Sequence, residues 1–159
     1  MKLRLILAAA CMVPVLAQAQ GDPLLRGRYL VEIAGCNDCH TPGYGATDGR
    51  VPKAQWLTGE RVGWRGPWGT TYATNLRLYF ASMSEQEWLQ KATELQTRPP
   101  MPWYSIRAMN KTDLQALYRY IRRLGAAGSP APEALDPGRE PAGPYISFPA
   151  PPPAAGGRH

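Results

Sequence analysis

Cys36-Asn37-Asp38-Cys39-His40 is the stretch that most narrows what this chain can become. Its two thiols are three positions apart, so one helical turn carries both to the same side, and His40 follows Cys36 by four positions on that same face. Donors placed in this way can hold the edge of a planar macrocycle. The thiols bond two vinyl carbons of a porphyrin and the imidazole stands over its iron as proximal ligand. Cys-x-x-Cys-His is accordingly the attachment signature of covalently bound haem c. Two other chemistries use Cys-x-x-Cys. A zinc site needs four ligands, and only His159 or a carboxylate could join Cys36, Cys39 and His40. A thioredoxin-type redox pair needs a preceding strand and an α/β chain around it, and neither pattern is present.

The 159 residues suffice for one domain. The first of them have the form of a secretory signal peptide. Lys2 and Arg4 are its charged start, Leu5 to Leu16 its short apolar stretch, and Ala17-Gln18-Ala19 its cleavage site, which gives 1–19 as leader and Gln20 as the expected start of the mature chain. The apolar stretch is well short of the roughly 20 residues that a membrane span requires. Cys11 follows three alanines, a faint likeness to a lipoprotein site, but it comes too early. Cleavage would leave Cys36 and Cys39 as the only cysteines, both available to one haem, in an exported, periplasmic setting. It would also leave sixteen basic against twelve acidic residues, a mild and scattered excess. That excess does not argue for nucleic acid. It can assist docking onto acidic protein surfaces, and it serves ordinary solubility equally well.

The pattern predicts helices over three segments. From Pro23 to Ala34, Asp22 can cap and Pro23 suits the first position, while Gly27, Leu30, Val31 and Ala34 share one face. Ser84-Glu85-Gln86-Glu87 is a capping box opening a second helix, with Trp88, Ala92 and Leu95 along one face and an end near Thr97 before Pro99 and Pro100. Asn110 or Thr112 caps a third, with Leu114, Leu117, Tyr118, Ile121 and Leu124 on its apolar side and Gly125 as its stop. Arg119, Arg122 and Arg123 complement its C-terminal dipole. Between the first two helices, 41–79 is rich in Gly, Thr and Trp, a loop long enough to require something in its interior. Trp56, Trp64, Trp68 and Tyr72 are candidates to pack on a haem there, and short strands are expected around 61–62 and 70–74. Residues 126–159 are Pro/Ala/Gly-rich and read as an extended tail, with no helix or sheet of its own. Tyr145, Ile146 and Phe148 can pin that tail to the domain or to a partner; a mobile tail is the alternative.

Histidine usage limits the other side of the iron. Apart from His40 there is only His159, so bis-histidine ligation and a second haem are both disfavoured. A sixth ligand from the protein should be a Met thioether: Met83, Met101 or Met109. Met101 is held between Pro100 and Pro102, a stiff loop between two helices that suits a preorganised ligand. Met109 is the second choice, and Met83 sits directly before a helix cap.

These features together resemble a class I c-type cytochrome: an N-terminal helix leading into Cys36–His40, a middle helix, a Met101-Pro102 loop and a C-terminal helix. Arg26-Gly27-Arg28-Tyr29-Leu30 and Gly69-Thr70-Thr71-Tyr72-Ala73-Thr74-Asn75-Leu76 are similar to stretches in cytochrome c domains of bacterial membrane-bound dehydrogenases, such as alcohol and gluconate dehydrogenase cytochrome subunits. Those subunits carry several haems and this chain one motif, so the resemblance concerns domain type. It covers about residues 23–125. It implies an all-α class I cytochrome c fold over 20–125, with three main helices and long loops around one covalent haem. It further implies that Gly27 packs on Tyr118 or Tyr120, with the apolar stripe favouring the first and the motif the second. His40 should give its second ring N–H to a backbone carbonyl, near a loop proline such as Pro52. The expected protein is an electron carrier, not an enzyme, with iron ligands His40 and Met101. Its transient redox partners would be a dehydrogenase as donor and an oxidase or reductase as acceptor, with peripheral contact to a membrane complex. Two rivals remain from other classes: a haem-based ligand binder or enzyme with an open sixth position, and a haem subunit of a larger dehydrogenase complex.

Overall fold

The computed structural model describes residues 21–150; the expected leader at 1–19, Cys11 and His159 lie outside the described residues. Six helices are formed within them: α1 Pro23–Ile33, α2 Cys36–His40, α3 Leu76–Ala81, α4 Glu85–Glu94, α5 Trp103–Arg107 and α6 Lys111–Leu124. A small three-stranded sheet, β1 Gly63–Gly66, β2 Gly69–Thr71 and β3 Tyr145–Ser147, makes the architecture mixed rather than purely helical. Among the described residues no helix is long and apolar enough to cross a membrane.

The three long helices are α1, α4 and α6, and their ends follow their local chemistry. Asp22 accepts from the Leu24 N–H at 2.8 Å at the start of α1. Ser84 and Glu87 form the reciprocal capping box of α4. Asn110, not Thr112, caps α6 by accepting from the Asp113 N–H. The main packing contact is α1 on α6. A Cβ on Gly27 would lie 2.1 Å from the Ala116 carbonyl oxygen and 2.6 Å from Tyr120 Cβ, so the two backbones meet where only hydrogen fits. Tyr120 is thus the aromatic against Gly27. Tyr118 instead reaches sideways and donates its hydroxyl to the Met83 carbonyl at 2.9 Å. The buried face of α6 is Leu114, Ala116, Leu117, Tyr120 and Ile121. Arg26 on α1 grips Asp113 through two hydrogen bonds of 2.8 and 3.0 Å, and Arg119 grips Glu85 of α4 likewise at 2.9 and 3.1 Å.

The C-terminus of α6 is satisfied from elsewhere. Arg77 of α3 is buried and donates to the carbonyls of Leu124, Gly125 and Ala54. Burial without a carboxylate partner lowers its pKa. Of the three arginines expected to complement this end, Arg119 is engaged with Glu85 and Arg122 reaches the Phe80 carbonyl at 3.3 Å.

The strands form slightly away from the expected places. The hairpin is β1–β2, with Trp64 opposite Thr71 and Gly66 opposite Gly69, so 61–62 and 72–74 lie outside it. The proline-rich segment supplies β3, which adds to β1 in parallel, Trp64 facing Ile146. It needs no sheet of its own because the free edge of β1 provides the partner groups. Leu135 also bridges to Thr70, with both N–H···O contacts at 2.9 Å. Phe148 packs on Trp68 with ring centroids 5.6 Å apart. Tyr145, though exposed, has the Arg65 guanidinium over its ring at 5.3 Å and donates its hydroxyl to Glu140 Oε1 at 2.7 Å, and Ile146 is held through its backbone pairing with Trp64.

Candidate functional site: a cavity at the Cys36–His40 turn

Cys36, Cys39 and His40 are on the single turn α2 and line one cavity of about 460 Å³, within the range of small-molecule and cofactor sites. Met101 lines the same cavity, with Pro100 and Pro102 beside it. Met83 and Met109 do not line it; they pack with the hydrophobic core. The remaining wall is largely apolar and comes from several elements: Trp64 and Tyr72 from the hairpin region, Leu76, Tyr79 and Phe80 from α3, Trp88 from α4 and Leu95 just after it, Ile106 from α5 and Leu117 from α6. Of the four aromatics expected around a haem, Trp64 and Tyr72 are therefore at the cavity. Trp56 is buried in the core with its indole N–H given to the Val51 carbonyl, and Trp68 lies under Phe148.

His40 is buried and held twice. Its carbonyl accepts from the Gly59 N–H at 2.8 Å, and its ring Nδ1 lies 2.7 Å from the Thr74 carbonyl oxygen. A carbonyl can only accept, so Nδ1 carries the proton and Nε2 keeps its lone pair, the tautomer a metal-ligating imidazole requires. Burial lowers the pKa of His40 against the opposing pull of that carbonyl, which favours the neutral ring. The acceptor is Thr74 and not a residue near Pro52. Residues 59–60 lie along 73–75, with the Glu60 N–H donating to the Ala73 carbonyl, which brings Thr74 to the ring.

The α2 turn is further tied by a buried relay: the Leu57 N–H donates to Thr41 Oγ1, and Thr41 Oγ1–H donates to Asn37 Oδ1, both at 2.7 Å. Leu57 accepts a positive φ of 62° to make this contact while fully buried.

Cys36 and Cys39 are unpaired with each other. Burial pushes the Cys36 thiol up to about 11, and burial with the neighbouring Asp38 raises Cys39. This is the reverse of the depressed thiol of a thiol–disulfide catalyst. Among the described residues no group of three or more His, Cys, Asp or Glu side chains gathers as a metal-binding cluster. The arrangement can instead take a flat apolar group whose edge meets two thiols and whose centre meets an imidazole lone pair. A haem fits those donors, that lining and that volume.

The sequence did not announce Thr74, which acts through its backbone, or Arg98, the only Lys or Arg of the cavity wall among the described residues. No protein-family model matches this chain, and neither a curated protein nor a solved structure matches it.

Proposed function

We propose that this chain is an exported, single-haem electron-transfer protein of the class I cytochrome c type, with His40 and Met101 as axial ligands and Cys36 and Cys39 as thioether anchors. The observation that carries the proposal is that these four side chains, from the α2 turn and the loop before α5, line one apolar cavity. When bound there, a haem supplies an iron that exchanges single electrons between its Fe(II) and Fe(III) states. The chain's own residues do the rest. His40, its proton held on Nδ1 by Thr74, presents Nε2 in a fixed orientation. Met101 offers a thioether, which favours the reduced metal and raises the potential relative to a second histidine. The aromatic and aliphatic wall excludes water. No substrate pocket is required; partners dock transiently, a dehydrogenase giving electrons and an oxidase or reductase taking them.

The test is the visible spectrum of the oxidised protein with Met101→Ala and Met109→Ala beside it. The parent should show the weak far-red band of a thioether–Fe(III) bond. Met101→Ala should lose it and have a lower midpoint potential, while Met109→Ala keeps both. High-spin bands and ready binding of carbon monoxide in the parent protein would establish an open sixth position instead. Isolation only in stable association with a dehydrogenase would favour the subunit role.

A further inference from the structure

Most of the cavity wall is apolar; its polar side chains are Asp38 and His40 on the α2 turn and, away from that turn, a set that includes Thr71 and Arg98. Among the described residues Arg98, from the loop after α4, is its one Lys or Arg, and Asp38 of α2 is its one carboxylate. Thr71 of β2 also lines it, and its Oγ1 is buried with no hydrogen-bond partner. An orphaned hydroxyl in an apolar wall is costly unless a ligand completes it. Arg98 is half-exposed and uses only part of its fork. Nη1 donates to the Leu135 carbonyl at 3.2 Å and Nη2 to Asp136 Oδ1 at 2.9 Å. Nε–H and one N–H on each Nη remain for another acceptor.

We infer that Arg98 and Thr71 form the carboxylate-binding subsite of this cavity and receive the propionate groups of the haem; the inference rests on the function proposed above. A haem has thiol-reactive vinyl groups and anionic propionates on different edges. Anchoring at Cys36 and Cys39 therefore directs the propionates away from α2, and away from Asp38. Carboxylates entering an apolar cavity need a cation or donors to offset lost hydration, and Arg98 provides a charge and a planar fork suited to them. The Leu135 and Asp136 contacts hold that fork from behind. The C-terminal segment is thereby part of the site although it does not line the cavity.

The experiment follows midpoint potential against pH in the full-length protein, with haem attachment checked from the haemochrome spectrum after denaturation. The other titratable groups of the wall are Asp38, Cys36, Cys39, His40, Tyr72 and Tyr79, with Asp136 behind Arg98, and none is altered in Arg98→Gln. Loss of the cation makes propionate ionisation harder, so the acid-side inflection should move up by about one pH unit in Arg98→Gln. Thr71→Val should move it less in the same direction, and Arg98→Lys should restore most of the parent profile. Asp136→Asn breaks the same contact with the C-terminal segment but leaves the guanidinium, so it should move the inflection down or not at all. An unchanged inflection in Arg98→Gln and Thr71→Val with haem attached overturns the subsite alone. An upward shift in Asp136→Asn equal to that in Arg98→Gln also overturns it, because the effect would then be a loosened segment. Protein without attached haem overturns both this inference and the proposed function.

Discussion

His40 Nδ1 lies 2.7 Å from the backbone oxygen of Thr74, a residue 34 positions further along the chain. That contact selects the imidazole tautomer at the cavity, yet no side chain of residue 74 takes part in it. Its geometry depends on what holds the backbone between Ala73 and Leu76. Asn75 is the principal support. Its side chain accepts from the Leu78 N–H as the cap of α3, and its amide donates to the carbonyls of Ala127 and Ser129 at 2.8 and 3.1 Å.

Asn75→Ala should therefore act on both stability and the site. Losing a helix cap and leaving two carbonyls without their donor should cost about 2 kcal/mol, read from urea denaturation. In the haem-loaded protein proposed above, a loosened Thr74 carbonyl would make the His40 ring a weaker donor to iron, so the midpoint potential should rise. A loss of stability with an unchanged potential would show that Thr74 keeps its place without Asn75.

Gly27→Ala tests the crossing of α1 and α6. The added methyl would meet the Ala116 carbonyl oxygen at 2.1 Å, a backbone atom that cannot step aside. The two helices must separate, at a cost of about 3 kcal/mol, the upper part of the usual range for overpacking. Gly45→Ala is the control, since nothing lies within 4 Å of its Cβ position. It should change stability by less than about 0.5 kcal/mol. Equal unfolding midpoints for the two variants would refute the close contact.

Acid should weaken the packing of α6 on its neighbours. The Arg26 guanidinium holds the Asp113 carboxyl below its ordinary 3.8, and Arg119 holds Glu85 below its ordinary 4.5. Depressed carboxylates contribute stability that is fully present above their unfolded values and is lost as pH falls through the folded ones. Unfolding free energy should thus begin to drop below about pH 4.5 and continue to drop beyond 3.8. Arg119→Gln should flatten the upper part of that fall, measured by denaturant titration at constant salt. An acid limb identical to the parent's would mean that the Glu85 pair contributes nothing.

The long helices were legible because their signals are local. Ser84 and Glu87, or Asn110 and Asp113, are three residues apart and meet whenever the turn forms. The short helices were not. Leu76–Ala81 and Trp103–Arg107 hold six and five residues, too few for a period to emerge. They form because tertiary contacts, such as Arg77 to the end of α6, hold them in place. β3 was likewise hidden, since its proline-rich surroundings carry no alternating pattern and its pairing comes from an open edge elsewhere. Tyr118 and Tyr120 both had claims on Gly27. The choice turned on the crossing of two backbones, which the periodicity of one helix cannot specify.

From the sequence alone came the grouping of Cys36, Cys39 and His40 on one turn, the caps of α1 and α4, the choice of Asn110 or Thr112 for the cap of α6, and Met101 as the methionine held between prolines. Each follows from spacing over a few residues, where chain geometry leaves little freedom. Only the tertiary structure decided which methionine reaches the cavity, which carbonyl holds His40, which aromatics form the wall, and that residues 126–148 pack along the hairpin instead of leaving it. Those outcomes join segments tens of residues apart. They depend on which apolar surfaces are buried together and which backbone groups remain to be paired, quantities that belong to the whole fold and to no single stretch of it.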